Sequence, residues 1–162
     1  MTIAVGSRLP EATLLRMGSN GPEPVALSAL LAGRKVVIFG FPGAFTSTCT
    51  TAHVPSFIRT KAQFDAKGVD EIIGLAVNDP FVMARFGEST GATAAGISMI
   101  ADASGEMTKA IGMDFDVPAI GFHGRSKRYA AYVVDGVVQH LSEPEKPGMC
   151  ETTSGEAMLA VI

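Results

Sequence analysis

Three short runs of apolar residues stand out along the chain: residues 35–41 (KVVIFGF), 71–77 (EIIGLAV) and, less continuously, 97–101 (ISMIA). Runs of this length, rich in β-branched residues, predict strands buried on both faces of a sheet. Between the first two lies a stretch with helical spacing, from about Thr50 to Lys67, with Val54, Phe57, Ile58 and Ala62 on one stripe. Pro55 inside it lacks an amide hydrogen and predicts a kink. After the second run, Asp79 suits an N-cap and Pro80 the first helical position, so a helix is expected to about Gly87 or slightly beyond. Residues 104–112 form a shorter helical candidate. Tyr129 to Asp135, then Gly136, then Val137 to Leu141 read as a hairpin closed by an Asp-Gly turn. Thr153 with Glu156 has the spacing of a capping box for a last helix reaching Ile162.

Strand, helix, strand, helix, then a hairpin and a closing helix make an α/β plan with a mixed central sheet and helices on both faces. The order is compatible with a thioredoxin-like three-layer sandwich, although periodicity alone does not choose it over others. The length of 162 residues, with no linker, repeat or charge block, predicts one domain over residues 1–162. A net charge of -3 argues against a nucleic-acid footprint, which needs clustered Lys and Arg. The one short basic cluster is Arg125, Lys127 and Arg128. A mean hydropathy of +0.29 is high, and implies either a dense core or an apolar face for a second copy. No run approaches the 18 apolar residues of a membrane span, and no secretory pattern opens the chain. Two cysteines are too few for a disulfide scaffold, so a reducing, cytoplasmic setting is expected.

The chemistry concentrates in residues 39–53, FGFPGAFTSTCTTAH. A buried strand leaves through a Pro-Gly turn, and Cys49 stands where a helix is expected to begin. The first helical turn offers unpaired N–H groups and the positive end of the dipole, both of which favour a thiolate. At a free pKa near ~8.5 only about 3% of a thiol is ionised at pH 7, whereas at ~6 about 90% is. Thr46 places a hydroxyl one helical turn before the sulfur. Hydroxyl neighbours on both sides of Cys49 argue against an ordinary buried cysteine, and no CxxC partner makes it a dithiol site. His53, four residues on, can share a helix face with Cys49, either tuning the thiol or capping local polar groups. His123 and His140 have no companion at metal-ligand spacing and read as solvated.

The stretch Pro42-Gly43-Ala44-Phe45-Thr46-Ser47-Thr48-Cys49 resembles the PxxxTxxC signature of peroxiredoxins. The wider segment through His53 and Pro55 is similar to their type-5 (atypical, or type II) branch. So are Val77-Asn78-Asp79-Pro80-Phe81-Val82-Met83, Ala101-Asp102 before Gly105, and Lys127-Arg128-Tyr129 ahead of Gly136. Ser47 and Ser56 depart from it, standing where many relatives carry Pro and Gly. The resemblance implies a thioredoxin-fold thiol peroxidase acting on hydrogen peroxide and organic hydroperoxides without a bound cofactor or metal. Cys49 would be the attacking thiol, Thr46 the hydroxyl that orients peroxide, Pro42 the shield of the site, and Arg128 the cation that stabilises thiolate and developing charge. A homodimer is implied too, with Phe45 and Phe81 as apolar contacts.

A cysteine sulfenic acid must be reduced by a second thiol before it oxidises further. Cys150 is the internal candidate for that resolving thiol, about one residue out of register with relatives that resolve from this loop. If it is spare, glutathione or a glutaredoxin, or thioredoxin, supplies the electrons. Two other functions compete: a Cys–His hydrolase or transferase built on Cys49 and His53, and a thioredoxin-like binding or chaperone module without catalysis. The first lacks an orienting third group at a recognisable spacing.

Overall fold

The computed structural model describes residues 2–48, 52–146, 149 and 151–162. Strands β1 (Thr13–Gly18), β2 (Gly21–Ala26), β3 (Lys35–Gly40), β4 (Glu71–Ala76), β5 (Ser98–Ala101), β8 (Tyr129–Val134) and β9 (Val137–Ser142) build one sheet in the order β2-β1-β5-β4-β3-β8-β9. β3, β4 and β5 run parallel, while β1 lies antiparallel to β5 and β8 antiparallel to β3. A separate two-stranded hairpin joins β6 (Asp114–Val117) to β7 (Phe122–Ser126).

Alternation along the strands divides the core into two layers. Val36, Ile38, Ile73, Leu75, Ala131 and Val133 face one side, where they meet Leu27, Leu30 and Leu31 of α1 (Leu27–Leu31) and Met107 of α4 (Glu106–Ala110). Val37, Phe39 and Ile72 face the other, against Phe57 and Phe64 of α2 (Val54–Ala66), Met83 and Phe86 of α3 (Pro80–Thr90), and Met158 of α5 (Gly155–Leu159). Helices therefore cover both faces of a mixed sheet, as expected. The Asp-Gly hairpin turn is present, with Asp135 and Gly136 both at positive φ (48° and 78°), the dihedrals of a type I′ turn.

Asp79 caps α3 by accepting the Val82 N–H at 2.9 Å, Pro80 occupies its first turn, and left-handed Gly91 (φ 83°) ends it. The helix thus outruns Gly87 by three residues. We expect Asp79→Ala to destabilise the fold by about 1 kcal/mol, the ordinary worth of an N-cap side chain, read as a lower midpoint in urea unfolding with unchanged slope.

Three expectations are corrected. The buried face of α2 is Val54, Ser56, Phe57, Thr60 and Phe64, whereas Ala62 is exposed and Ile58 half-buried. Hydroxyls can be buried here because the Thr60 side chain donates to the Ser56 carbonyl at 2.7 Å, one turn back. α2 is regular only from Val54. Ala52 and His53 before it form a π-type turn, and Pro55 sits in the first α-turn, where its missing N–H costs least. Finally, Thr153 does not cap the last helix. Ser154 does, accepting the Ala157 N–H at 3.1 Å, and α5 ends at Leu159 rather than Ile162. Thr153 instead closes a 3-10 turn over Glu151–Thr153, fully buried.

Candidate active site

The segment leaving β3 is held from three directions. Buried Phe41 still donates its N–H to the Leu75 carbonyl of β4 at 3.2 Å, so the chain departs from the sheet only at half-buried Pro42. The Pro42 carbonyl accepts from Arg125 Nη1 at 3.1 Å, and the Ala44 N–H donates to Asn78 Oδ1 at 2.9 Å. A tight turn follows, in which the Gly43 carbonyl accepts the Thr46 N–H at 3.4 Å and the Thr46 hydroxyl at 2.8 Å. Phe45 within it takes φ 65°, a left-handed conformation that costs a non-glycine residue about 1 kcal/mol or more. Its ring packs edge-on to Phe86 at 5.1 Å between centroids, which helps to hold that conformation while leaving the side chain 53% exposed. Ser47 and Thr48 are helical. Cys49, Thr50 and Thr51 lie outside the described residues, as do Pro147, Gly148 and Cys150, and with them both thiols.

Arg128 reaches the same place through sheet register. Gly40, the last residue of β3, pairs with Tyr129, the first of β8, which sets Arg128 beside the point where the loop begins. It is only 7% exposed, unlike Lys127, so the basic cluster of the sequence is three separate roles: Arg125 braces the loop, Lys127 faces solvent, and Arg128 is internal. Arg125 is itself placed by stacking over the Phe122 ring, 5.1 Å from its centroid.

His53 holds Arg128. Its Nδ1 lies 3.0 Å from Arg128 Nη1, and its Nε2 lies 3.0 Å from the Thr153 carbonyl oxygen. Both partners have a single role, since a guanidinium only donates and a carbonyl only accepts. His53 is therefore the neutral tautomer with its proton on Nε2, accepting from Arg128 and donating to Thr153. The ring is fully buried among Phe39, Phe41 and Phe57, with centroids 5.2, 6.5 and 5.6 Å away. Burial, and then the Arg128 charge, lower its pKa to about 3. Protonation would also turn Nδ1 into a second donor facing the guanidinium.

This has a consequence for stability. His53 is free to take a proton near its ordinary value of 6.5 in the unfolded chain but not in the folded one, so stability present above pH 6.5 is lost as pH falls toward about 3. The loss approaches roughly 1.4 kcal/mol per pH unit within that window. We expect the difference in urea-unfolding free energy between pH 7 and pH 5 to shrink by about 1–2 kcal/mol in His53→Phe, which keeps the aromatic packing. An unchanged difference would show that His53 titrates alike in both states.

His123 is exposed, and His140 is half-buried with Nε2 2.9 Å from the Ser142 hydroxyl. Among the described residues, no three His, Cys, Asp or Glu side chains group to hold a metal ion, and no helix is long and apolar enough to cross a membrane.

A buried arginine thus stands at the root of a loop pinned after a central parallel strand. The Redoxin family model matches residues 4–159. Peroxiredoxin-2E-2, chloroplastic, of Oryza sativa subsp. japonica is 42% identical over 165 residues, covering 99% of this chain and 73% of its own. The chain belongs to the peroxiredoxins. Among solved structures, reduced Prx3 of Vibrio vulnificus in complex with H2O2 is 43% identical with a TM-score of 0.90, covering 98% of each chain. Peroxiredoxin 5 of Alvinella pompejana is 30% identical with a TM-score of 0.84, over 98% of this chain and 96% of its own.

This peroxiredoxin is thus a thiol peroxidase with a thioredoxin-like fold. Sequence reasoning named Thr46, Pro42, His53 and Arg128, and the structure places Pro42 and Thr46 in one braced loop and joins His53 to Arg128. It missed the loop supports Asn78 and Arg125. Asn78 sat inside a segment quoted for its resemblance and Arg125 inside the short basic cluster, but nothing local distinguishes a brace from a cap or a surface cation.

Proposed function

We propose that Cys49 is the thiol that attacks peroxide, with Arg128, Thr46 and Pro42 arranging the reaction around it. The observation that carries this reading is a buried arginine, fixed by a neutral histidine, at the root of the braced loop that runs toward Cys49. A guanidinium there favours thiolate over thiol and stabilises the oxygen leaving the peroxide. The Thr46 hydroxyl proton is committed to the Gly43 carbonyl, so toward a peroxide its oxygen acts as an acceptor for the O–H and aligns it. Pro42, half-buried, limits water at the loop.

The sulfur attacks the terminal peroxide oxygen. An S–O bond forms, the O–O bond breaks, and Cys49 becomes a sulfenic acid while the departing alkoxide or hydroxide takes a proton to give alcohol or water. A second thiol then displaces water from the sulfenic acid to form a disulfide, and a further thiol releases Cys49. No bound cofactor takes part in this scheme. The reductant in our reading is glutathione with a glutaredoxin, or thioredoxin, in a cytoplasmic thiol pool; Cys150 as an internal resolving thiol is the competing route.

The test treats reduced protein with one equivalent of hydrogen peroxide and then with glutathione, and maps products by peptide mass spectrometry. A glutathione adduct on Cys49 supports the external route. A Cys49–Cys150 crosslink within one chain overturns it in favour of internal resolution, and peroxide consumption with Cys49 unmodified overturns the assignment of the nucleophile.

A homodimer completes the proposal. Phe45 and Phe81 are 53% and 62% exposed, large apolar surface of the kind a second copy covers. Sedimentation at twice the 16.8 kDa chain mass is expected, and a 16.8 kDa species at micromolar concentration would contradict it.

A further inference from the structure

Resting on the proposed role of Arg128 in the peroxide reaction, we infer that the C-terminal turn is a distal control on this arginine, acting through a latch made by Ser56, Gly155, Thr153 and His53. The latch has two bonds to one short piece of chain. The Thr153 carbonyl accepts from His53 Nε2 at 3.0 Å, and the Gly155 N–H donates to Ser56 Oγ at 3.0 Å. The Ser56 hydroxyl in turn donates to the His53 carbonyl at 2.6 Å. One side chain therefore ties the C-terminal turn to the backbone of the residue whose ring the same turn holds. All these groups are buried, so none exchanges its partner for water without cost.

Close approach at Gly155 is what lets the latch shut. A Cβ there would overlap the Thr60 hydroxyl and lie 2.6 Å from the Ser56 carbonyl oxygen, so any larger residue forces the turn off α2. The outcome at the far end follows from hydrogen-bond roles. With the Thr153 carbonyl in place, the imidazole proton belongs on Nε2, and Nδ1 is left as an acceptor for Arg128 Nη1. With the carbonyl withdrawn, Arg128 still selects that tautomer, but the buried Nε2–H loses its acceptor and the ring shifts toward another partner, loosening its hold on the guanidinium. Ser56, Gly155 and Thr153 are positioning residues: they act on Arg128 only through His53.

The experiment compares Ser56→Ala and Gly155→Ala with the parent chain and with Arg59→Gln. Arg59 also joins α2 to α5, through an exposed ion pair with Glu156 at 2.9 Å, but lies outside the latch. Three quantities are read: the rate constant of the reduced enzyme with hydrogen peroxide, the Cys49 thiolate titration at 240 nm, and the two 15N ring shifts of His53. Ser56→Ala and Gly155→Ala are expected to slow the peroxide reaction about tenfold, raise the thiol pKa and shift the His53 Nε2 resonance that marks its bond to Thr153. Arg59→Gln is expected to stay within twofold on the rate and unchanged on the others. Should Gly155→Ala fail to fold, Ser56→Ala, which only removes an oxygen, decides. A folded Ser56→Ala with parental rate and parental ring shifts overturns the latch, as does an Arg59→Gln variant slowed to the same degree. A parent chain that shows no peroxide reaction at Cys49 would instead sink the catalytic reading, while the ring shifts still report on the latch.

Discussion

Cys49→Ser is expected to abolish peroxide reduction, lowering the second-order rate constant by at least about a thousandfold, with near-ultraviolet dichroism and urea midpoint little changed. The size of the effect follows from ionisation and nucleophilicity together. A thiol of ordinary pKa is a few per cent ionised at neutral pH and mostly ionised when lowered to ~6, whereas a serine hydroxyl is not ionised at all. The replacement oxygen is also a poor nucleophile toward peroxide oxygen, so the Arg128 guanidinium has no anion to stabilise. A thousandfold loss corresponds to about 4 kcal/mol of activation free energy. Cys150→Ser separates the two halves of the cycle. If resolution is external, both the first turnover and steady-state turnover with glutathione and glutaredoxin survive. If it is internal, the first turnover survives and recycling fails. Peroxidase activity persisting in Cys49→Ser would move the chemistry elsewhere.

Arg128→Met comes next in size, with an expected loss of about 10²–10³ in the peroxide rate constant. Methionine roughly preserves the buried volume and removes the charge, so the variant is expected to fold. Three readouts should move together. The rate falls because a fixed donor for the developing oxyanion is gone. The Cys49 thiol titrates higher because its nearest proposed cation is gone. The His53 pKa rises from about 3 because the second of the two causes that lower it is removed, yet stays below 6.5 because burial, the larger cause, remains. Arg128→Lys should recover only part of the rate, since a single ammonium cannot reproduce a planar fork that engages His53 and other partners at once. A rate unchanged in Arg128→Met would exclude the arginine from the reaction.

Much of this fold could be read from residue pattern because the central strands are buried on both faces and so appear as unbroken apolar runs. Val36 through Phe39 and Ile72 through Leu75 are such runs. β1 and β2 escaped notice for an opposite reason. β2 carries Pro22 and Pro24, which argue against a strand, but it is an edge strand of the sheet, where missing ladder donors are tolerated. The site was legible where it is local: Pro42, Thr46 and Cys49 fall within eight residues. It was illegible where it is made by topology. Arg128 is buried because Tyr129 pairs with Gly40 and because His53, 75 residues earlier in the chain, accepts its hydrogen bond. Thr153 looked like a helix cap, and only the packing of α5 on α2 reveals that its carbonyl holds His53. The departure at Ser56 looked inconsequential, and its hydroxyl turns out to bridge two segments 99 residues apart.

In the proposed cycle Cys49 is the sulfur that peroxide oxidises first. Reduced protein mixed with one equivalent of hydrogen peroxide in the presence of dimedone, quenched within a second and digested, tests it most directly. The sulfenic acid adduct is expected on the peptide containing Cys49, formed with the same time course as peroxide loss. An adduct on Cys150 with Cys49 still a free thiol, or peroxide consumed with neither cysteine labelled or bridged, would contradict it.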